Sequence, residues 1–301
     1  MAMDVATPGS YGLKPRGYRL PDRVRLGEVR LRVASLDRSI AYYTTVLGMR
    51  VIGREGTRAV LGAQGDDRAL LELNETPGAR PVPSRARYGL FHFAILLPDR
   101  ASLGRFAQHL ADLNVRAGAA DHLVSESFYL QDPDNLGIEV YADKPRDLWR
   151  RNDRELVMAT DPLDIASLVR EMGDTRWTGM PAGTVMGHVH LHVGDLAHAS
   201  AFYSDALGLD RMVWSYPGAL FLAGGGYHHH LGTNIWAGPD AEPSRPGEAG
   251  LAEWIIDLVE RSSIDAAASS LTAAGFTVTR ANADAITADP WGTAVRLRLA
   301  R

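Results

Sequence analysis

The chain has 301 residues, 46% hydrophobic and 23% charged, a balance that suits a packed globular protein of one large or two ordinary domains. A formal net charge of −4 offers no basic footprint for nucleic acid, and nowhere does the chain run through the ~18 apolar residues of a membrane span. Cysteine is absent, which excludes disulfides, thiolate metal sites and cysteine nucleophiles, so a metal would have to be held by histidine and carboxylate. Residues 1–20 are polar, carry Gly and Pro, and lack the apolar stretch of a secretion signal, so a cytoplasmic protein is expected.

After a tail over 1–26 the chain repeats itself. Setting Gly27 over Gly187 matches Gly27, Val29, Leu31, Val33, Leu36, Ala41, Tyr43, Leu47 and Gly48 with identical residues, without a gap. Each copy opens on strict alternation, Val29-Leu31-Val33 in the first, which predicts a half-buried strand. Ser35-Leu36-Asp37 and Asp195-Leu196 then supply helix starts. The helices bury Ile40, Tyr43 and Val46, or Ala201, Phe202 and Ala206, and stop at Gly48 and Gly208. Strands follow at 59–61 and 69–73, and at 220–223 and 234–236. Between the copies lies the same plan in weaker form: strand 89–97, helix 101–113, strands 128–131 and 137–141. A last version starts at Leu251, with a helix over 263–274 and strands at 277–280 and 294–299. The modules are therefore 27–78, 89–142, 187–238 and 250–301. The insert at 143–183 reads as a linker with a short helix over 161–172, capped by Asp161 with Pro162 in its first position.

Strand, helix closed by Leu-Gly, then three strands, four times over, resembles the vicinal oxygen chelate superfamily. Glyoxalase I, bleomycin-resistance proteins and extradiol dioxygenases belong to it. The resemblance implies an α+β fold in which two βαβββ modules close an eight-stranded, cup-like half-barrel. A metal would sit inside, held by the first and last strands of each module. Along the chain this gives a first domain at 27–142 and a second at 184–301. Fold alone does not choose a function. The aligned ligand positions are Glu28, His92, His188 and Glu253 on first strands, and Glu139, Asn234 and Arg296 on last strands, with Glu72 the nearest carboxylate in the first module. Sequential pairing of modules would gather Glu28, His92 and Glu139 in one cup. Crossed pairing, second with third and first with fourth, would gather His92, Glu139 and His188. It would leave Arg296 offset by Glu28 and Glu253 in the other cup. The crossed arrangement is preferred, because it gives a two-histidine-one-carboxylate triad with open metal positions and keeps the arginine away from the cation.

The segment from His122 through Phe128, Tyr129, Asp132 and Pro133 to Glu139 is similar to the extradiol dioxygenase signature. It departs at Asp121, where a small or apolar residue is usual, and at Asn135, where Gly or Pro is usual. The resemblance implies that Tyr129 and His122 hydrogen-bond substrate oxygens. It also implies a histidine acid–base, for which His229 aligns best, with His230 one residue away. Three histidines, His188, His190 and His192, alternate with apolar residues and so share one face. Trp236, Trp291 and Tyr203 read as core.

The leading expectation is a ring-cleaving dioxygenase using Fe(II), with Mn(II) as the alternative, on a small catechol-like aromatic and O2, assembled as a homo-oligomer. A glyoxalase-like lyase or isomerase would use Glu28, His92 and Glu139 with Zn(II) or Ni(II). A metal-free drug-binding protein would need no histidine or glutamate at these positions.

Overall fold

Alternating apolar residues and capped helices build each module in the expected order. The computed structural model describes residues 3–83 and 86–300. Met1, Ala2, Ser84, Arg85 and Arg301, which fall in the tail, the loop after the first module and the end of the fourth, lie outside the described residues. The first module contributes β1 (Val29–Val33), α1 (Leu36–Thr45), β2 (Arg50–Glu55), β3 (Arg58–Gly62) and β4 (Ala69–Glu75). The second contributes β5 (Gly89–Leu96), α2 (Arg100–Asp112), β6 (Gly118–Asp121), β7 (Ser125–Gln131) and β8 (Gly137–Asp143). The linker carries α3 (Ile165–Glu171). The third module contributes β9 (Val185–His192), α4 (Leu196–Ser200) running on as a π-helix over Ala201–Ala206, β10 (Asp210–Val213), β11 (Ala219–Ala223) and β12 (Leu231–Asn234). The fourth contributes β13 (Gly250–Leu258), α5 (Arg261–Ala273), β14 (Val278–Ala281), β15 (Asp284–Ala288) and β16 (Ala294–Leu299).

Helix starts follow the sequence signals. Side chains of Ser35, Asp99 and Asp195 each accept a hydrogen bond from a backbone amide in the first turn. Gly48 and Gly208 end α1 and the π-helical turn in the left-handed region, at φ 68° and 100°.

The sheets pair the modules crosswise. One runs β10-β11-β12-β9-β5-β8-β7-β6, joining the third module to the second. The other runs β14-β15-β16-β13-β1-β4-β3-β2, joining the fourth to the first, with Arg25–Leu26 added against β13. A division along the chain at 27–142 and 184–301 is therefore not the division into sheets, because each sheet takes one module from either half. Side-chain bonds tie the sheets to one another: Tyr43 donates to Asp132 at 2.9 Å and Tyr203 to Asp289 at 2.8 Å, both buried. These are the repeat tyrosines meeting the Asp-Pro turns of the following modules.

Two local expectations change. The linker helix starts at its N-cap Asp164, not Asp161, because Asp161 exchanges both backbone hydrogen bonds with Asp121 and is held extended. The tail is also not a bare leader: Asp4–Val5 pairs with Arg150–Asn152 of the linker, which pairs with Glu155–Leu156.

Candidate metal centre

The centre is set by strand register. On one side of Ala94 in β5 stands Glu139 of the parallel strand β8, and on the other stands His188 of the antiparallel strand β9. Neighbouring strands lie about 4.8 Å apart, so the two long side chains converge over a single methyl group. His92, two residues before Ala94, faces the same way. The result is a buried triad whose ligand atoms all lie within 4.8 Å of one another, the only such group of three among the described residues.

Two bulges aim these side chains. The β5–β9 register skips Gly187 between Met186 and His188, and skips Phe91 between His92 and Leu90. At Gly187 a Cβ would stand 1.9 Å from the Tyr141 hydroxyl, so only glycine fits there. Phe91, the extra residue of the other bulge, turns into the same cavity as His92. The ring of His190 lies over Gly232, where a Cβ would come within 2.8 Å of it.

The donor set fits a cation. Glu139 Oε2 is 3.0 Å from His188 Nε2 and 3.0 Å from His92 Nε2. The His92 contact lacks hydrogen-bond alignment, so this buried nitrogen has no hydrogen-bond partner. An orphaned buried nitrogen costs free energy unless something else takes its lone pair. The other carboxylate oxygen accepts a 2.6 Å bond from Ser127 Oγ. Burial opposes ionisation of Glu139, but the charge and hydrogen bond of His188, with His92 beside it, outweigh it and hold the carboxyl well below its usual range. Burial lowers His188 to about 4 despite the opposing pull of Glu139. At neutral pH Glu139 is thus a carboxylate and His188 a neutral imidazole, the forms a metal requires.

The triad opens into a cavity of about 240 Å³. His122 Nδ1 lies 2.6 Å from the Ala159 carbonyl, which can only accept, so the proton is on Nδ1. With the proton on Nδ1, His122 Nε2 pairs with the Tyr129 hydroxyl at 2.5 Å. Burial, reinforced by the Glu139 charge, raises Tyr129 well above the usual phenol value, so it keeps its proton. His229 lines the cavity, its ring centroid 4.0 Å from that of His188. His230 does not line it, and its Nδ1 accepts from the Gly224 amide at 3.2 Å.

Several lining residues were not read from the sequence. Trp236 is not core. β12 ends at Asn234, two residues before the expected strand end, and Trp236 lies beyond it, 38% exposed, on the cavity rim with Phe91 and His190. Tyr203, in contrast, is fully buried. The linker supplies Met158, Ala159 and Thr160, and Thr160 bonds the Tyr216 hydroxyl at 2.8 Å across the cavity. His190 also faces the cavity, its Nε2 buried without a hydrogen-bond partner, and only the alternation of His188, His190 and His192 hinted at it. At the signature's departure, Asn135 adopts φ 65°, a conformation asparagine tolerates.

Glu28 immediately precedes β1 of the other sheet, so Glu28, His92 and Glu139 do not meet. Its partner is also not Arg296 as expected. Arg298 binds it through two bonds of 2.8 and 2.9 Å, and Arg30 through one of 2.9 Å. Arg296 instead binds Glu253 at 3.0 Å and Asp284 at 3.1 Å. Alignment found the position, but the arginine two residues further along β16 reaches Glu28.

The Glyoxalase/Bleomycin resistance protein/Dioxygenase superfamily model matches residues 25–140 and 185–295, and the chain belongs to this family. A catechol-2,3-dioxygenase of Bacillus subtilis (strain 168) is 46% identical over 257 residues, spanning 84% of this chain and 89% of that protein. The fold is shared with the crystal structure of a putative dioxygenase from Bacillus subtilis subsp. subtilis str. 168, at TM-score 0.63 and 12% identity over 93% of this chain and 86% of that one. Glyoxalase I from Zea mays shares it at TM-score 0.55 and 22% identity, over 91% of this chain and 92% of that one.

Proposed function

We propose that the chain is a non-haem Fe(II) extradiol dioxygenase, with Mn(II) as the alternative metal, that opens the ring of a catechol-like aromatic with O2. The observation that carries this reading is the His92–Glu139–His188 triad sharing one cavity with His122, Tyr129 and His229, in a chain 46% identical to a catechol-2,3-dioxygenase.

His92, Glu139 and His188 would hold the metal on one face, which when bound supplies a Lewis acid with open positions and the one-electron chemistry that dioxygen needs. The residues around it do the rest. Phe91, Phe221 and Trp236 line the cavity with flat apolar surface that suits an aromatic ring and excludes water. Tyr129, anchored by His122, orients a substrate oxygen. His229 takes a hydroxyl proton from the bound catechol and returns it to a product oxygen. Catechol plus O2 then gives a ring-opened hydroxy-semialdehyde carboxylate, with one proton released to solvent as the new carboxylic acid ionises.

The test is anaerobic loading with Fe(II), then mixing with catechol and substituted catechols in aerated buffer. The expected result is stoichiometric oxygen uptake with a yellow ring-fission product. No oxygen uptake on any catechol, with isomerisation of a hemithioacetal by the Ni(II)- or Zn(II)-loaded protein, would overturn it in favour of a lyase.

A further inference from the structure

Among the cavity's proton-handling groups His229 is buried where His122 and Tyr129 are partly exposed, and two residues outside the cavity hold it. His228 stands behind it, with the two Nδ1 atoms 2.7 Å apart. The far nitrogen of His228, Nε2, lies 2.9 Å from Asp143 Oδ1. That carboxylate oxygen also accepts from the Tyr227 hydroxyl at 3.1 Å. The Tyr227 oxygen is 2.6 Å from the Tyr141 hydroxyl, and since Tyr227 spends its proton on Asp143, Tyr141 is the donor of that pair.

For an ionised Asp143 and two neutral rings, donor and acceptor counting along this chain leaves one arrangement. A carboxylate only accepts, so His228 carries its proton on Nε2. A neutral His228 then presents a bare Nδ1, and a 2.7 Å contact between two ring nitrogens needs one proton between them. His229 must supply it from its own Nδ1. The nitrogen left to His229 is Nε2, with its lone pair free, on a ring that lines the cavity. His228 cannot easily turn to break this: it is fully buried, with Tyr227 tilted against it at 4.1 Å and Trp149 edge-on at 5.5 Å.

We propose that Asp143 and His228 are positioning residues that lock His229 in its Nδ1–H tautomer, so that Nε2 meets the substrate as a proton acceptor. This rests on the dioxygenase reading of the cavity. Asp143 lies four residues after Glu139 on β8, so by strand alternation one strand presents both the metal-site carboxylate and the anchor of the relay on one face. A histidine with the proton on the wrong nitrogen would meet a catechol hydroxyl as a donor facing a donor.

The test compares His228→Leu with His228→Gln in the full chain. The leucine removes both hydrogen-bonding atoms. The glutamine amide can donate to Asp143 and accept from His229 at once. In the metal-free protein, long-range proton–nitrogen correlation spectra of the imidazoles read the His229 tautomer directly. Wild type and His228→Gln are expected to show an unprotonated Nε2, and His228→Leu a loss of that state. In the Fe(II)-loaded protein His228→Leu should lower kcat about 100-fold, the low end of a general acid–base contribution, with KM changed less than about threefold. His228→Gln should recover most of the loss, and Fe(II) content should stay the same in all three. A protonated Nε2 in wild type, or a His228→Leu protein with wild-type kcat and tautomer, overturns the proposal. Absence of ring cleavage by wild type overturns the dioxygenase reading instead, while the spectrum still decides the relay.

Discussion

The two cups are made from one module and differ in how they balance charge. In the β5–β9 cup the convergent groups are one carboxylate and two imidazoles, and a buried His92 nitrogen is left without a hydrogen-bond partner. In the β1–β13 cup the same places hold acids and guanidiniums whose charges pair, although Arg30 Nε also lacks a hydrogen-bond partner. Arg30 reaches Glu28, Glu253 and Glu72 at 2.9, 2.5 and 3.5 Å, Arg298 clamps Glu28 and Asp257, and Arg58 binds Glu72. The repeat alignment puts Glu28 and Arg30 where the other cup has His188 and His190. One cup thus carries its cations as side chains, and the other lacks one. The lesson is that the fold provides a place where first and last strands converge, and the local charge balance decides whether that place calls for a metal.

Breaking the difference from the metal side has the largest expected effect. His188→Ala removes a ligand, so metal affinity should fall by more than the ~10–100-fold seen for the loss of an outer partner, measured by anaerobic titration and metal analysis. Glu28→Gln acts on the other cup. It leaves buried guanidiniums short of an anion, so stability should drop by about 3 kcal/mol in urea unfolding, with metal content unchanged. Loss of metal there would erase the contrast.

The same residue gives the comparison a pH signature. Burial works to raise the Glu28 carboxyl, but hydrogen bonds and charge from Arg298 and then Arg30 override it and lower it from 4.5 to about 2. The unfolded chain therefore binds the extra proton between these values. Stability from this group is complete above pH 4.5 and is lost as pH falls toward 2, and Glu28→Gln should flatten that part of the curve. The smallest effect is expected from Ser127→Ala. It deletes the 2.6 Å bond to Glu139, for about 1.4 kcal/mol, which is roughly tenfold in metal affinity by calorimetry. A Ser127→Ala protein that binds metal as tightly as wild type would show that Glu139 needs no such support.

Much of this was legible in the residues. Period-two runs, Ser and Asp caps and the Leu-Gly stops marked the modules, because these signals depend on neighbours in sequence. Charge type at aligned positions pointed to the crossed sheets, since an arginine repels a cation wherever the chain runs. What stayed hidden depends on contacts between distant segments. Asp161 forms no cap because Asp121, forty residues earlier in the chain, holds its backbone. Trp236 reads as core by hydrophobicity and lies on a rim because β12 ends early. Arg298, one strand-period beyond the aligned Arg296, takes Glu28 through geometry that no pattern states. Asp143 and His228 had a weak signal, an acid on the Glu139 face and a histidine triplet, but only the folded contact makes them partners.

Anaerobic Fe(II) titration of three proteins tests the central claim most directly. The account predicts one iron per chain in wild type and in Glu28→Gln, and none in His188→Ala. Two irons per chain, or a His188→Ala protein that keeps its iron while Glu28→Gln loses it, would contradict it.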